Sequence, residues 1–218
     1  MVKVNFYTAQ TANRGFIPCI KEQMIPEFDY YYFHDNHPQA EQNKGWHYRN
    51  VLHEYRQLKN PKRQRLIKMC PNFFFFDEFD YTVWVDNKFY QHRKFYELCL
   101  DIIVNEQPEF MVCTHLENRT FQEEMDFAEY HKLIPISDLD KVKEHMVGDF
   151  YSTDTCWLIR KNTEKNHLLG LKWFDLTNAC FENECRDQLT ISSCIDKSYL
   201  SMNHSIQELN DLSFIRHV

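Results

Sequence analysis

Short apolar runs alternate with amphipathic stretches along most of this chain. Residues 2–7, 28–33, 81–85, 110–114 and 155–159 are apolar or aromatic runs of strand length. Between the third and fourth, Phe95, Leu98, Cys99, Ile102 and Ile103 recur at helical spacing and predict a helix over residues 93–104. Residues 121–130, 139–146, 163–181 and 185–195 read as further helices, and residues 40–60 carry a charged, irregular helical pattern. Pro61 suits the first turn of one more helix, where a missing N–H costs nothing, and Pro71 stops it. This alternation predicts an α/β fold, a mostly parallel central sheet flanked by helices. Such folds bind ligands beyond the carboxyl ends of their strands, so the polar residues just after each strand carry the interest.

Composition narrows the choice of function. Of 218 residues, 43% are hydrophobic and 16% aromatic, enough for one substantial core and too many for a disordered chain. The aromatic clusters at residues 30–33 and 73–76 read as core, while Trp157 and Trp173 are weighed as an acceptor-sugar surface against plain packing. Four glycines, with neither GxGxxG nor GxxxxGK[ST], disfavour a glycine-rich phosphate loop. A formal charge of −7 argues against a nucleic-acid binder. Several of the eight cysteines sit inside apolar runs and none forms a CxxC pair; the chain opens on a strand-like run, with no signal peptide. Free thiols and a cytoplasmic location are therefore expected. No run approaches the ~18 apolar residues of a membrane span. Oligomeric state is left open.

The most informative segment is the strand at residues 81–85, which ends in Asp86-Asn87-Lys88. A carboxylate delivered at a strand end can hold a hard divalent cation, Mn²⁺ or Mg²⁺, which would neutralise a departing diphosphate; the plain alternative is a helix cap. Arg63, Arg65 and Lys68 precede this strand on a helix, with Arg65 and Lys68 three apart on one face, and suit either a diphosphate or open solvent. Asp187 is the candidate catalytic carboxylate that takes a proton from an acceptor hydroxyl, or else a salt-bridge or first-turn residue, and Asp154 is its competitor.

Four segments occur in an order that resembles a known family. Residues 62–71 (KRQRLIKMCP) with the aromatics at 73–76 and residues 79–86 (FDYTVWVD), then 115–119 (HLENR), 157–162 (WLIRKN) and 186–190 (RDQLT), are similar to a group of plant and bacterial cell-wall glycosyltransferase-like proteins. They also resemble the amino-terminal GT-A domain of chlorella-virus glycosyltransferases. The resemblance spans roughly residues 60–195. It implies a single GT-A domain, Rossmann-like, with a nucleotide-sugar part at about 1–115 and an acceptor part at about 116–218, and a chain that is one domain of a longer enzyme. It implies a metal-dependent transfer of a hexose or deoxyhexose from a UDP-sugar such as UDP-glucose or UDP-rhamnose to a glycan hydroxyl, in building viral structural glycoproteins in the host cytoplasm. Topology in that family places the nucleoside near Thr8, Ala9 and Arg14, favours Lys68 over the two arginines for the diphosphate, and makes His204 the candidate second metal ligand.

The chain departs from the family pattern at two points. GT-A domains usually carry D-x-D, and the third position here is Lys88, so either a distant residue completes the metal shell or Lys88 supplies positive charge itself. The proline that follows the family's histidine is Leu116. A nucleotidyltransferase would need two or three carboxylates where this motif offers one, and a non-catalytic sugar- or protein-binding module with a degenerate site is the other rival.

Overall fold

The computed structural model describes residues 2–10, 21–34, 45–51, 55, 57–75, 78–114, 120–145, 152–182 and 186–215. The strands are β1 (Val4–Gln10), β2 (Phe28–His34), β3 (His47–Asn50), β4 (Tyr81–Val85), β5 (Phe89–Gln91), β6 (Phe110–Cys113), β7 (Asp154–Lys161), β8 (Leu200–Ser201) and β9 (Ser213–Ile215). The helices are α1 (Asn60–Met69), α2 (Arg93–Asp101), α3 (Phe121–Tyr130), α4 (Ile136–Glu144), α5 (Glu164–Cys180), α6 (Gln188–Ile191) and α7 (Ile206–Asp211). Seven strands form one sheet in the order β3-β2-β1-β4-β7-β6-β8, and β5 pairs with β9 apart from it. Every neighbouring pair in the large sheet is parallel except β4–β7 and β6–β7. Strand β7 is thus the one that runs backward. The chain steps outward from β1 to β3 and then returns to place β4 on the other side of β1, so the order switches at the β1/β4 boundary.

Period-2 side-chain alternation splits the strands between two cores. Phe6, Tyr30, Val83, Val85 and Trp157 face one side, where α2 lays Phe95, Tyr96, Cys99, Ile102 and Ile103 against them. Tyr7, Phe33, Trp84, Val112 and Leu158 face the other, under α1 and α5, which contribute Leu66, Ile67 and Trp173. A smaller cluster of Phe121, Met125, Leu139 and Phe181 joins α3, α4 and the end of α5. The helix starts follow local chemistry. Pro61 lies in the first turn of α1; Thr120 and Glu123 form a capping box at α3; Ser205 and Glu208 form another at α7. Cys70, Cys99, Cys113, Cys156, Cys180 and Cys194 are free and buried.

The alternating pattern located the sheet, and three readings change. Of residues 185–195, expected as a helix, only Gln188–Ile191 is α-helical among the described residues. Part of the charged stretch expected to be helical is β3, a mostly exposed edge strand whose polar residues face solvent. Its four residues are too short a run to show period-2 alternation. The helix expected to end at residue 104 is α-helical only to Asp101 and continues as one wide π turn to Glu106, closing at Gln107 with φ 49°. Among the described residues no helix is long and apolar enough to cross a membrane.

A buried arginine fastens α1 to the sheet. Arg160 on β7 is 3% exposed; its Nη1 donates to the Met69 carbonyl at 2.9 Å, and its Nη2 donates to the Lys68 carbonyl and the Tyr7 hydroxyl. A guanidinium at the last carbonyls satisfies acceptors that a helix leaves open and opposes the negative end of its dipole. Gly170 of α5 lies against the same turn: a Cβ there would sit 2.2 Å from the Met69 carbonyl oxygen. Gly→Ala normally stabilises a helix by about 1 kcal/mol. At this contact the clash reverses the sign, and Gly170→Ala is expected to lose about 1–3 kcal/mol of unfolding free energy in a urea titration; an unchanged or higher midpoint would contradict the packing.

Candidate active site

The backward run of β7 assembles the site. Parallel strands bring their carboxyl ends to one edge of the sheet, and an antiparallel strand brings its amino end to that same edge. Val85 therefore pairs with Trp157, and the Asp86 N–H donates to the Cys156 carbonyl at 2.8 Å. Asp86, just past β4, meets Asp154 and Thr155 at the start of β7. Helix α1 crosses above with Arg65 and Lys68, and Asp187 enters as the residue capping α6.

Lys68 is the centre of the arrangement. Its side chain is 1% exposed, and its ammonium lies 2.7 Å from Asp187 Oδ2 and 3.5 Å from Asp86 Oδ1. It also donates to Thr155 Oγ at 3.1 Å, so its three protons have three acceptors. Trp84 Nε1 donates to Asp86 Oδ1 at 2.8 Å, and Thr155 donates to Asp187 Oδ2 at 3.0 Å. The Arg65 guanidinium is 3.5 Å from Asp187 Oδ1. Burial alone would push the Asp187 carboxyl up, but the Arg65 and Lys68 charges, with hydrogen bonds from Lys68 and Thr155, hold it down at about 2. Asp187 is an anion at neutral pH.

An open cleft of about 460 Å³ lies over this network, with Arg65, Asp86, Lys88, Asp154, Arg186 and Asp187 among its lining residues. Glu124 of α3, 2% exposed, closes the far side: it pairs with Arg186 at 3.3 Å and accepts from Gln188 Nε2 at 2.8 Å. Partial desolvation beside the cleft pulls the exposed Lys88 ammonium down, but Asp86, with Asp154 and Asp187 behind it, outweighs that and holds it above the ordinary lysine value.

The crystal structure of mouse xyloside xylosyltransferase 1 in its apo form superposes with a TM-score of 0.51 at 5% identity, covering 92% of this chain and 85% of that one. This chain has a GT-A fold. No family model matches it, and no curated protein matches it by sequence. In a GT-A fold the switch between β1 and β4 is where a ligand crevice opens, and the Asp86 cleft adjoins it.

Of the residues expected at the site, the fold brings Arg65, Lys68, Asp86, Lys88, Asp154 and Asp187 together. Lys68 is beneath the cleft and does not line it, so it positions the two acids where a contact with diphosphate was expected. Asp187, expected as the proton acceptor, has both oxygens engaged by cations and the Thr155 hydroxyl; Asp154 has only Oδ1 engaged, by the Cys156 N–H at 2.8 Å. Arg63 lies elsewhere. It is 4% exposed and braces the approach to α1, donating to the Tyr55 and Leu58 carbonyls at 3.2 and 2.9 Å. Thr8 and Ala9 are buried at the end of β1 and do not line the cleft; the Ala9 carbonyl accepts from Gln64. Arg14 and residues 115–119 lie outside the described residues. Trp157 and Trp173 are fully buried and belong to the core.

His204 is not a partner of Asp86. Its Nε2 is 2.7 Å from Glu106 and its Nδ1 3.2 Å from Glu208, and it does not line the cleft. Among the described residues the donors left for the Mn²⁺ or Mg²⁺ that the resemblance implied are Asp86 Oδ2 and Asp154 Oδ2, with the Lys88 ammonium at the same cleft as a like charge. Asp187 is saturated, Asp86 Oδ1 already holds Trp84 and Lys68, and the Lys88 ammonium stands where a second acid would be. Among the described residues no three His, Cys, Asp or Glu side chains gather as a metal-holding group.

Trp84, Thr155 and Arg160 were not singled out from the sequence. Trp84 is two residues before Asp86 on one strand, and that spacing could have flagged it. Arg160 follows the apolar run of β7 and is buried, a position where an arginine must be paired.

Removing Lys68 leaves two acids without their shared cation. Lys68→Met is expected to cost about 3–5 kcal/mol, read as a loss of urea-unfolding stability. Asp187 also imposes a pH dependence. Its carboxyl titrates near the ordinary carboxylate value unfolded and at about 2 folded, so its contribution is complete above about pH 4 and disappears as pH falls toward 2. That contribution is on the order of 2 kcal/mol. Asp187→Asn should flatten the stability profile between those pH values while lowering stability at neutral pH; a mutant as steep as the parent would contradict the pairing.

Proposed function

We propose that this protein is a glycosyltransferase that moves a sugar from a nucleoside diphosphate to a hydroxyl of a glycan acceptor. The supporting observation is that Asp86 and Asp154 line one cleft at the carboxyl edge of a GT-A sheet, each with a second carboxylate oxygen that has no hydrogen-bond partner among the described residues. Lys68 and Trp84 fix Asp86 by Oδ1, leaving Oδ2 for a donor hydroxyl. The Cys156 N–H fixes Asp154 by Oδ1, leaving Oδ2 for the acceptor. In the reaction the bond from the anomeric carbon to the phosphate oxygen breaks, its electron pair leaving on the diphosphate. The acceptor oxygen bonds to the anomeric carbon, and its proton passes to Asp154. Preorganised charge does much of this work in such sites, because it needs no rearrangement as the bond breaks.

The donor part, at about 1–115, contributes Arg65, Asp86 and Lys88 to the cleft, and the acceptor part, at about 116–218, contributes Glu124, Asp154 and Arg186. The finer reading follows the motif resemblance: a UDP-sugar donor such as UDP-glucose or UDP-rhamnose, a hexosyl or deoxyhexosyl product, and glycans of viral structural glycoproteins. The similar solved structure is by name a xylosyltransferase, so pentose donors belong in the same assay.

The test is release of nucleoside diphosphate from a panel of nucleotide-sugars, paired with thermal stabilisation by each. A donor at ~100 times its dissociation constant should add about 2.7 kcal/mol. Asp154→Asn is expected to bind the donor as the parent does while losing roughly 10²- to 10⁴-fold in turnover, the usual weight of a general base. A panel in which no donor binds or is cleaved would overturn the assignment.

A further inference from the structure

Among the described residues the charges around the cleft balance without an added cation. Asp86, Glu124, Asp154 and Asp187 face Arg65, Lys68, Lys88 and Arg186, four against four. Most of these cations are committed: Lys68 to Asp187 and Asp86, Arg65 to Asp187, and Arg186 to the buried Glu124. Lys88 is different. It is exposed at the cleft, two residues past β4, and makes no hydrogen bond or ion pair with any described residue; its ammonium rests 5.1 Å from the Phe89 ring centroid.

A divalent ion beside Asp86 would meet that ammonium as a like charge. Of the nearby carboxylate oxygens, Asp86 Oδ1 is taken by Trp84 and Lys68 and both oxygens of Asp187 by Arg65, Lys68 and Thr155, which leaves Asp86 Oδ2 and Asp154 Oδ2 among the described residues. An ammonium held at the edge of the same cleft provides the charge that a diphosphate requires, through charge-assisted hydrogen bonds.

We propose that Lys88, in place of a divalent cation, binds the donor's diphosphate and neutralises it as the sugar departs. This rests on the glycosyl transfer proposed above. The leaving phosphate oxygen takes the electron pair of the broken bond, and Lys88 meets that charge by hydrogen bonding, with no proton or electron transferred from it. Of the two cationic residues that the D-x-D departure brings into contrast, Lys68 is structural and Lys88 binds the donor.

The experiment is calorimetric titration of UDP, GDP and ADP into the intact protein, once in EDTA and once with excess MnCl₂. At least one nucleotide is expected to bind with an affinity that agrees within about threefold between the two buffers. Lys88→Ala should weaken it by about tenfold or more in both, and Lys88→Arg, which keeps the charge, should stay within about fivefold. Because Lys88 is exposed and carries no contact of the fold beyond the Phe89 ring, both variants should melt as the parent does. Binding that appears only with manganese, or an unchanged affinity in Lys88→Ala, overturns this proposal and leaves the transferase reading standing. Absence of binding by all three nucleotides in both buffers overturns the two together.

Discussion

One buried ammonium organises this protein's cleft. Lys68 is 1% exposed, and a lysine so deep is tolerable only if its charge is met by carboxylates and its protons by acceptors. Asp187, Asp86 and Thr155 satisfy both conditions. They come from three separate elements, so the contacts that make Lys68 tolerable also draw α1, the end of β4, the start of β7 and the cap of α6 to one point. The helix that carries Lys68 is fixed in turn by Arg160 and Tyr7. The Tyr7 hydroxyl donates to the Lys68 carbonyl at 3.0 Å, and burial pushes its phenol up, keeping it a neutral donor. The site's geometry is thus set from behind, by side chains that no substrate touches.

The direction of β7 determines which acids are available. Had β7 run parallel to its neighbours, Asp154 would lie at the opposite edge of the sheet, far from Asp86. Reversed, it offers a carboxylate one strand away from Asp86 and leaves Asp187 to serve structure. Two acids that look equivalent in a list of candidates are separated by environment. One is locked into an ion-pair network at about pKa 2, and the other is tied by a single backbone N–H.

Much of the sheet was legible because its strands are long enough to show themselves. The run at residues 81–85 is β4 to the residue, and residues 121–130 are α3 with its capping box. Among the elements that escaped, β5, β8 and β9 have three, two and three residues, too few to establish an alternation; the four-residue β3 and the six-residue α7 escaped as well. Within the site, Asp86 could be found because an apolar strand that ends in an acid is locally visible. The different burial of Lys68 and Lys88 could not, because depth is set by packing: the α1 face that carries Lys68 is covered, and the turn after β4 is not. His204 failed for a related reason. Its role as a ligand needed a long-range meeting with Asp86, whereas Glu106 and Glu208 are its actual neighbours.

Three consecutive residues join the two sides of the cleft. Asp187 faces inward to Arg65 and Lys68, while Arg186 and Gln188, on either side of it, face Glu124 on α3. Adjacent residues at the start of a helix point in different directions, which lets one short segment answer to both networks. Glu124 is 2% exposed and depends on its two partners as fully as Lys68 depends on its acids. The two sides of the cleft are held in register by a segment of charge pairs, and among the described cationic residues lining it Lys88 lies outside both networks.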